Sequence, residues 1–120
     1  MKTGNITQTA WNRSVKRQLH TEMRHSVFRP SPEENCSGLR LASEDAAVWS
    51  SASVTGDSPR TARYAVLQAA GNLAARGVTP QGVSLRILFP EETEEEMLAA
   101  AARGAQEVCG RMGTELTCLQ

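Results

Sequence analysis

Few side chains in this sequence are suited to chemistry. The 120 residues include only two aspartates, Asp45 and Asp57. Aspartate is the short, rigid carboxylate that usually holds a hard dication beside phosphate. A Glu33-Glu34-Asn35 segment puts two carboxylates next to a neutral amide. The densest acidic run is Glu91, Glu92, Glu94, Glu95 and Glu96. It reads less as a metal site than as a helix start, with Thr93 and Glu96 spaced as a capping box and the glutamates at the positive end of the helix dipole. Cys36, Cys109 and Cys118 form an odd set without C-x-x-C spacing, which points to buried free thiols rather than zinc. His20 and His25 stand five apart, off the spacing that shares a helix face, and read as surface or hydrogen-bonded histidines rather than ligands.

Lys2, Arg13, Lys16, Arg17, Arg24 and Arg29 face only Glu22 in the first 30 residues. A phosphate or RNA grip is one reading of this basic segment. Without an aromatic ladder for bases to stack on, a solvated helix face is the better one. Over the whole chain 13 basic residues balance 13 acidic ones, so no global field draws it to nucleic acid or an anionic membrane. No apolar run approaches the roughly 20 residues of a membrane span. The opening Met1-Lys2-Thr3-Gly4-Asn5 lacks the apolar stretch of a secretion signal. A cytoplasmic protein with neither a nucleic-acid nor a membrane partner is expected.

The elements that must position these residues are legible from periodicity. Trp11, Val15 and Leu19 recur every four residues and predict a helix from Ile6 to about Leu19. Pro30 and Pro32 make 29–38 a loop. Leu39 and Leu41 begin a strand, Ser43-Glu44-Asp45 a turn, and Ala46 to Ser53 a second strand around Val48-Trp49. Ser58 as N-cap and Pro59 at the first helical position open a helix whose broad face of small residues carries Ala62, Ala65, Val66, Ala69, Ala70, Leu73 and Ala74. Gly77 suits its left-handed end. Val83, Leu85, Ile87 and Phe89 alternate with Ser84 and Arg86 as a strand with one covered face, although Leu88 spoils the polar side. Met97, Leu98, Ala101, Ala105, Val108, Cys109 and Met112 stripe a last helix that ends at Gly113, and Thr114 to Leu119 is a final strand. With 40% hydrophobic residues, the chain can build one domain over 1–120 but not two. The expected class is α+β, a layered fold with a mixed sheet covered by helices.

Three stretches together carry a resemblance. They are Arg29-Pro-Ser-Pro-Glu-Glu-Asn-Cys-Ser-Gly-Leu39, Val48-Trp-Ser-Ser-Ala-Ser-Val-Thr-Gly56, and Ala65-Val-Leu-Gln-Ala-Ala-Gly-Asn-Leu-Ala-Ala-Arg-Gly-Val-Thr-Pro80 followed by the strand to Phe89-Pro90-Glu91. In this order and spacing the chain resembles the N-terminal domain of the aminoimidazole ribonucleotide (AIR) synthase-related proteins. These include AIR synthase, the hydrogenase maturation factor HypE, selenophosphate synthetase and thiamine-monophosphate kinase. The opening Lys2-Thr-Gly-Asn-Ile6 and its helix look most like the HypE-like branch.

The resemblance implies ATP-dependent activation of a substrate oxygen, with magnesium bridging phosphates to aspartates. It also implies pairing of two chains through their N-terminal sheets and a separate C-terminal domain. The sequence departs from it at each aspartate position: Asn35 after Glu33-Glu34, Ala52 after Ser50-Ser51, and Asn72 after Gly71. Neutral amides hold a hard dication far more weakly than carboxylates, and Ala52 offers no donor. By family position, Glu34, Asn35, Ser51 and Asn72 are the nucleotide-neighbouring residues; no catalytic residue and no metal ligand is assigned. The predicted final strand stops at Gln120, without the Gly-Gly-His-Thr-like segment that the family carries next, as though the C-terminal domain were absent.

Three functions follow as expectations. The first is a degenerate, non-catalytic module that dimerises with itself or pairs with and regulates a related AIR synthase-like protein. The second is the ATP-binding part of a HypE-like enzyme completed by a C-terminal domain or another subunit; ATP and magnesium are its cofactors only if that activity is retained. The third is a small anion-binding or ligand-binding α/β domain, using free N–H groups at the Gly56-Asp57-Ser58 turn, which Asp57 opposes.

Overall fold

The computed structural model describes Gly4, residues 6–20 and residues 22–120. The expectation resting on Lys2, Thr3 and Asn5 lies outside the described residues. The chain divides into two compact units, Met1–Trp49 and Ser50–Gln120. Their buried cores differ in size. Among the described residues, the buried apolar side chains before Ser50 reduce to Cys36, whereas Ala62, Val66, Leu73, Ala101, Ala105, Val108 and Cys109 are buried after it.

In the first unit, helix α1 covers only Gln8–Arg13, followed by a 3-10 turn at Lys16–Gln18. Thr7 caps α1 by accepting from the Ala10 amide at 3.2 Å. The predicted helix to Leu19 breaks at Ser14, whose hydroxyl donates back to the Ala10 carbonyl at 2.6 Å. Such back-bonding competes with helix propagation. Val15 and Leu19 are not buried, so little packing supports a segment too short to be helical alone. Arg13, Lys16, Arg17, Arg24 and Arg29 are solvent-exposed, and Arg24 pairs with Glu22 at 3.0 Å.

Strands β1 (Cys36–Arg40) and β2 (Ala46–Ser50) form a two-stranded sheet. The turn between them closes through the Leu41 amide on the Asp45 carbonyl at 2.7 Å, with Glu44 in the left-handed region. The other edge of β1 is met by the chain at 25–27: Ser26 bridges Leu39, and the Val27 amide donates to the Gly38 carbonyl at 3.0 Å. Gly38 is crowded between these neighbours. A Cβ there would stand 3.2 Å from Val27 Cβ and 3.3 Å from the Ala47 carbonyl oxygen.

The second unit is built on helices α2 (Thr61–Ala74) and α3 (Glu95–Met112) against strands β3 (Gly82–Leu85) and β4 (Glu115–Leu119). β3 and β4 pair in parallel, with an irregularity between Val83 and Ser84. The ladder extends past β3 through the Ile87 amide on the Gln120 carbonyl. One cluster joins Ala62, Ala101 and Ala105 to Leu85, Ile87 and Phe89; another joins Val66, Val108 and Cys109 to Val83, Leu85 and Leu116. Small residues at the helix contact let the backbones come close, so the alternating β3 residues reach both clusters. Thr114, buried at the start of β4, donates to the Pro80 carbonyl at 3.0 Å and leaves no polar group unsatisfied there.

The α+β class holds, but the strands form two separate two-stranded sheets rather than one mixed sheet. Both helix ends assigned to glycine are left-handed, at Gly77 and Gly113. Both predicted N-caps differ. Ser58 and Pro59 form a turn, with the Thr61 amide on the Ser58 carbonyl, and α2 starts after Arg60. Thr93 donates to the Pro90 carbonyl at 2.7 Å, so the helix starts one residue later, with Glu94 as an N-cap that makes no side-chain bond.

Candidate functional site

Two sets of residues follow from the departures in the sequence, one in each unit. In the second unit the chain alternates from half-buried Ser50 through exposed Ser51 and half-buried Ala52 to exposed Ser53 and half-buried Val54. A strand-like period of two therefore puts Ser50 and Ala52 on one side and Ser51 on the other. Helix α2 brings up Asn72, next to the buried Leu73. Its Nδ2 donates to Ser50 Oγ at 3.1 Å. Asn72 thus has Ser50 as a side-chain partner, while Ser51, a nucleotide neighbour by family position, is exposed.

The donor set at this point is one amide, one hydroxyl and a methyl group. It does not suit a hard dication, which needs carboxylates to replace its water. It suits a neutral clasp between Ser50, where the second unit begins, and the last turn of α2. Among the described residues, no three His, Cys, Asp or Glu side chains gather as a metal site.

In the first unit Glu34 closes the turn that leads into β1. Its Oε1 accepts from the Cys36 amide at 3.0 Å, while its own amide donates to the Ser31 carbonyl at 3.2 Å. Pro30 and Pro32 fix the loop that places it. Asn35 beside it is exposed. Glu34 also lines an open groove of about 520 Å³, with Trp11, Val15, Leu19, Phe28 and Trp49. The helical spacing of Trp11, Val15 and Leu19 anticipated a shared face, but nothing in the spacing linked that face to Trp49 or Glu34.

Ionisation is perturbed at Cys109, where burial pushes the thiol pKa up. It lies in the helix-strand core and contributes packing, not reactivity. Cys36 is also a buried free thiol, and Cys118 is half-buried.

No helix among the described residues is long and apolar enough to cross a membrane. A family model described as AIR synthase related protein, N-terminal domain, matches residues 34–118. The matched span opens at Glu34 and runs from β1 into β4. Comparison with curated proteins and with solved structures gives no match.

Proposed function

We propose, from the premise that this chain belongs to the AIR synthase related protein family through its N-terminal domain, that it is a non-catalytic pairing module. It joins a second copy of itself or a related AIR synthase-like chain, and it carries out no magnesium-nucleotide chemistry of its own.

The observation that carries this reading is the bond from Asn72 to Ser50. The family resemblance places a metal-binding aspartate at position 72. An ionised aspartate only accepts hydrogen bonds, whereas the amide of Asn72 donates one. The position serves as a neutral clasp, and Ala52, at another aspartate position of the family, offers no ligand. The core around it is not degraded: Gly77 and Gly113 end their helices, and β3 still alternates against α2 and α3. Consistency at every level except the metal positions is what a fold kept for another purpose would show.

For the pairing surface, the outward side of β3 and the chain after it offers exposed Ser84, Arg86 and Leu88, while Val83, Leu85 and Ile87 turn inward. Leu88 is 88% exposed, an apolar side chain that a partner would cover. The segment at 46–53 is the second surface.

The test is titration calorimetry of the chain with ATP, with and without magnesium, alongside its mass by light scattering. No magnesium-dependent heat up to millimolar ATP, together with a dimer mass, supports the module. Magnesium-dependent micromolar binding overturns it and turns the search to an enzyme completed by a C-terminal domain or another subunit. Ser84→Glu and Arg86→Glu should lower the dimer mass; if both leave it unchanged, the surface is wrong.

A further inference from the structure

The outer side of the α2–α3 pair carries a feature that the pairing reading does not use. An open cleft of about 200 Å³ lies between the start of α2 and the middle of α3, lined by Pro59, Arg60, Arg63, Arg103, Gly104 and Glu107. Three guanidinium groups meet one carboxylate there. That carboxylate is already engaged: Glu107 binds Arg111 at 2.6 Å and reaches Arg63 only at 3.5 Å. Arg103 pairs with Glu96 at 2.9 Å, but both side chains are largely exposed, so that pair holds little of its charge. Among the described residues Arg60 has no carboxylate partner.

The arginines also stand at the unfavourable end of a helix. Arg60 is the N-cap of α2 and Arg63 lies in its first turn, which contains no acidic residue. Positive side chains at the positive end of a helix dipole are repelled unless an anion joins them. Gly104 gives a second sign of a built site. It lies inside α3, where glycine weakens a helix. A Cβ at 104 would stand 2.9 Å from Arg63 Cγ and 3.1 Å from its Cδ. The glycine makes room for the Arg63 stem to lie across α3 and present its head to the cleft.

We infer that this cleft, where Arg60, Arg63 and Arg103 converge, binds a phosphate monoester dianion. Planar guanidinium groups match phosphate oxygens in pairs. The cleft is open, which lets the ester group extend into solvent. Asp57, which opposes an anion at the neighbouring turn, does not line it. The site needs no magnesium and does not depend on the pairing proposal.

The test is an amide NMR titration of the full chain with methyl phosphate and with inorganic phosphate, holding ionic strength constant with chloride. Saturable shifts at Ala62, Arg63 and Gly104 are expected with both phosphates and not with chloride. Arg60→Gln/Arg63→Gln should weaken binding by at least about tenfold. Gly104→Ala keeps every charge and favours the helix, yet should weaken binding several-fold by displacing the Arg63 stem. Shifts that never saturate, or affinity unchanged in both variants, would overturn the site. Binding of inorganic phosphate alone would overturn its assignment to a monoester.

Discussion

Asn72 and Ser50 are joined side chain to side chain, with the amide of one on the hydroxyl of the other at 3.1 Å. The bond ties the helix bearing Asn72 to the segment that begins the second unit. A neutral hydrogen bond of this kind contributes about 1 kcal/mol net. Asn72→Ala and Ser50→Ala should each destabilise the chain by about that much, and the double variant by less than the sum. Denaturant unfolding of the four proteins gives the coupling. Full additivity would remove the clasp from the account.

Restoring the acids should restore a metal preference. In Ala52→Asp/Asn72→Asp one carboxylate returns to the side of the chain that carries Ser50 and the other to the helix position bonded to it. Like charges there should lower stability by about 1–2 kcal/mol without metal, and millimolar magnesium should recover the loss by binding the folded state. The natural chain should show no magnesium-dependent shift of its melting temperature. A double variant indifferent to magnesium would mean that these positions do not face one another.

Helix α3 begins without the bond its sequence advertises. Glu94 has N-cap backbone geometry and no capping side-chain bond, because Thr93 is occupied by the Pro90 carbonyl. Glu94→Ser should raise stability by about 0.5–1 kcal/mol through a bond to a free amide of the first turn. Thr93→Ala should not mimic the loss of an N-cap. Denaturant midpoints of both variants decide this.

The thiols should separate by reactivity. Cys109 is wholly buried with its pKa raised by that burial, whereas Cys118 is half-buried. A thiol reagent at mildly alkaline pH should modify Cys118 in the folded chain and Cys109 only with unfolding. The linkage has a definite sign. A thiol pKa raised in the folded state means that the unfolded chain loses its proton first. The stability held by protonated Cys109 is therefore complete below the ordinary thiol range, about pH 8–9, and is lost as pH rises beyond it. Cys109→Ala should flatten that alkaline decline.

The sequence was most informative where one residue alone decides a local geometry. Gly77 and Gly113 could be assigned because few other residues tolerate a left-handed end, and Val83, Leu85 and Ile87 because period two admits one inward face. It was weaker where alternatives compete for one group. Ser14 and Thr93 each spend a hydroxyl on a carbonyl, which shortened α1 and emptied the predicted capping box. The candidate site was legible as positions 35, 52 and 72 but not as contacts. The alternation from Ser50 to Val54 is visible once the structure is known, but the contact of Ser50 with Asn72 depends on how α2 packs. No local pattern could have brought Trp49 to the groove beside Glu34, or Arg103 to Arg60, because those meetings depend on tertiary structure.

The parallel pairing of β3 with β4 has a consequence in time. The turn from β1 to β2 closes over a handful of residues, and hairpins of that kind assemble in about 1–10 μs. The β3–β4 ladder cannot start until the whole of α3 has been laid between its strands, because parallel neighbours require such a crossover. The slow step of refolding should therefore be the one that brings Leu116 onto Val83. Until then, the apolar side of β3 and the stripe of α3 have nothing to cover them, and this is the interval in which a crowded solution would lose the chain to aggregation.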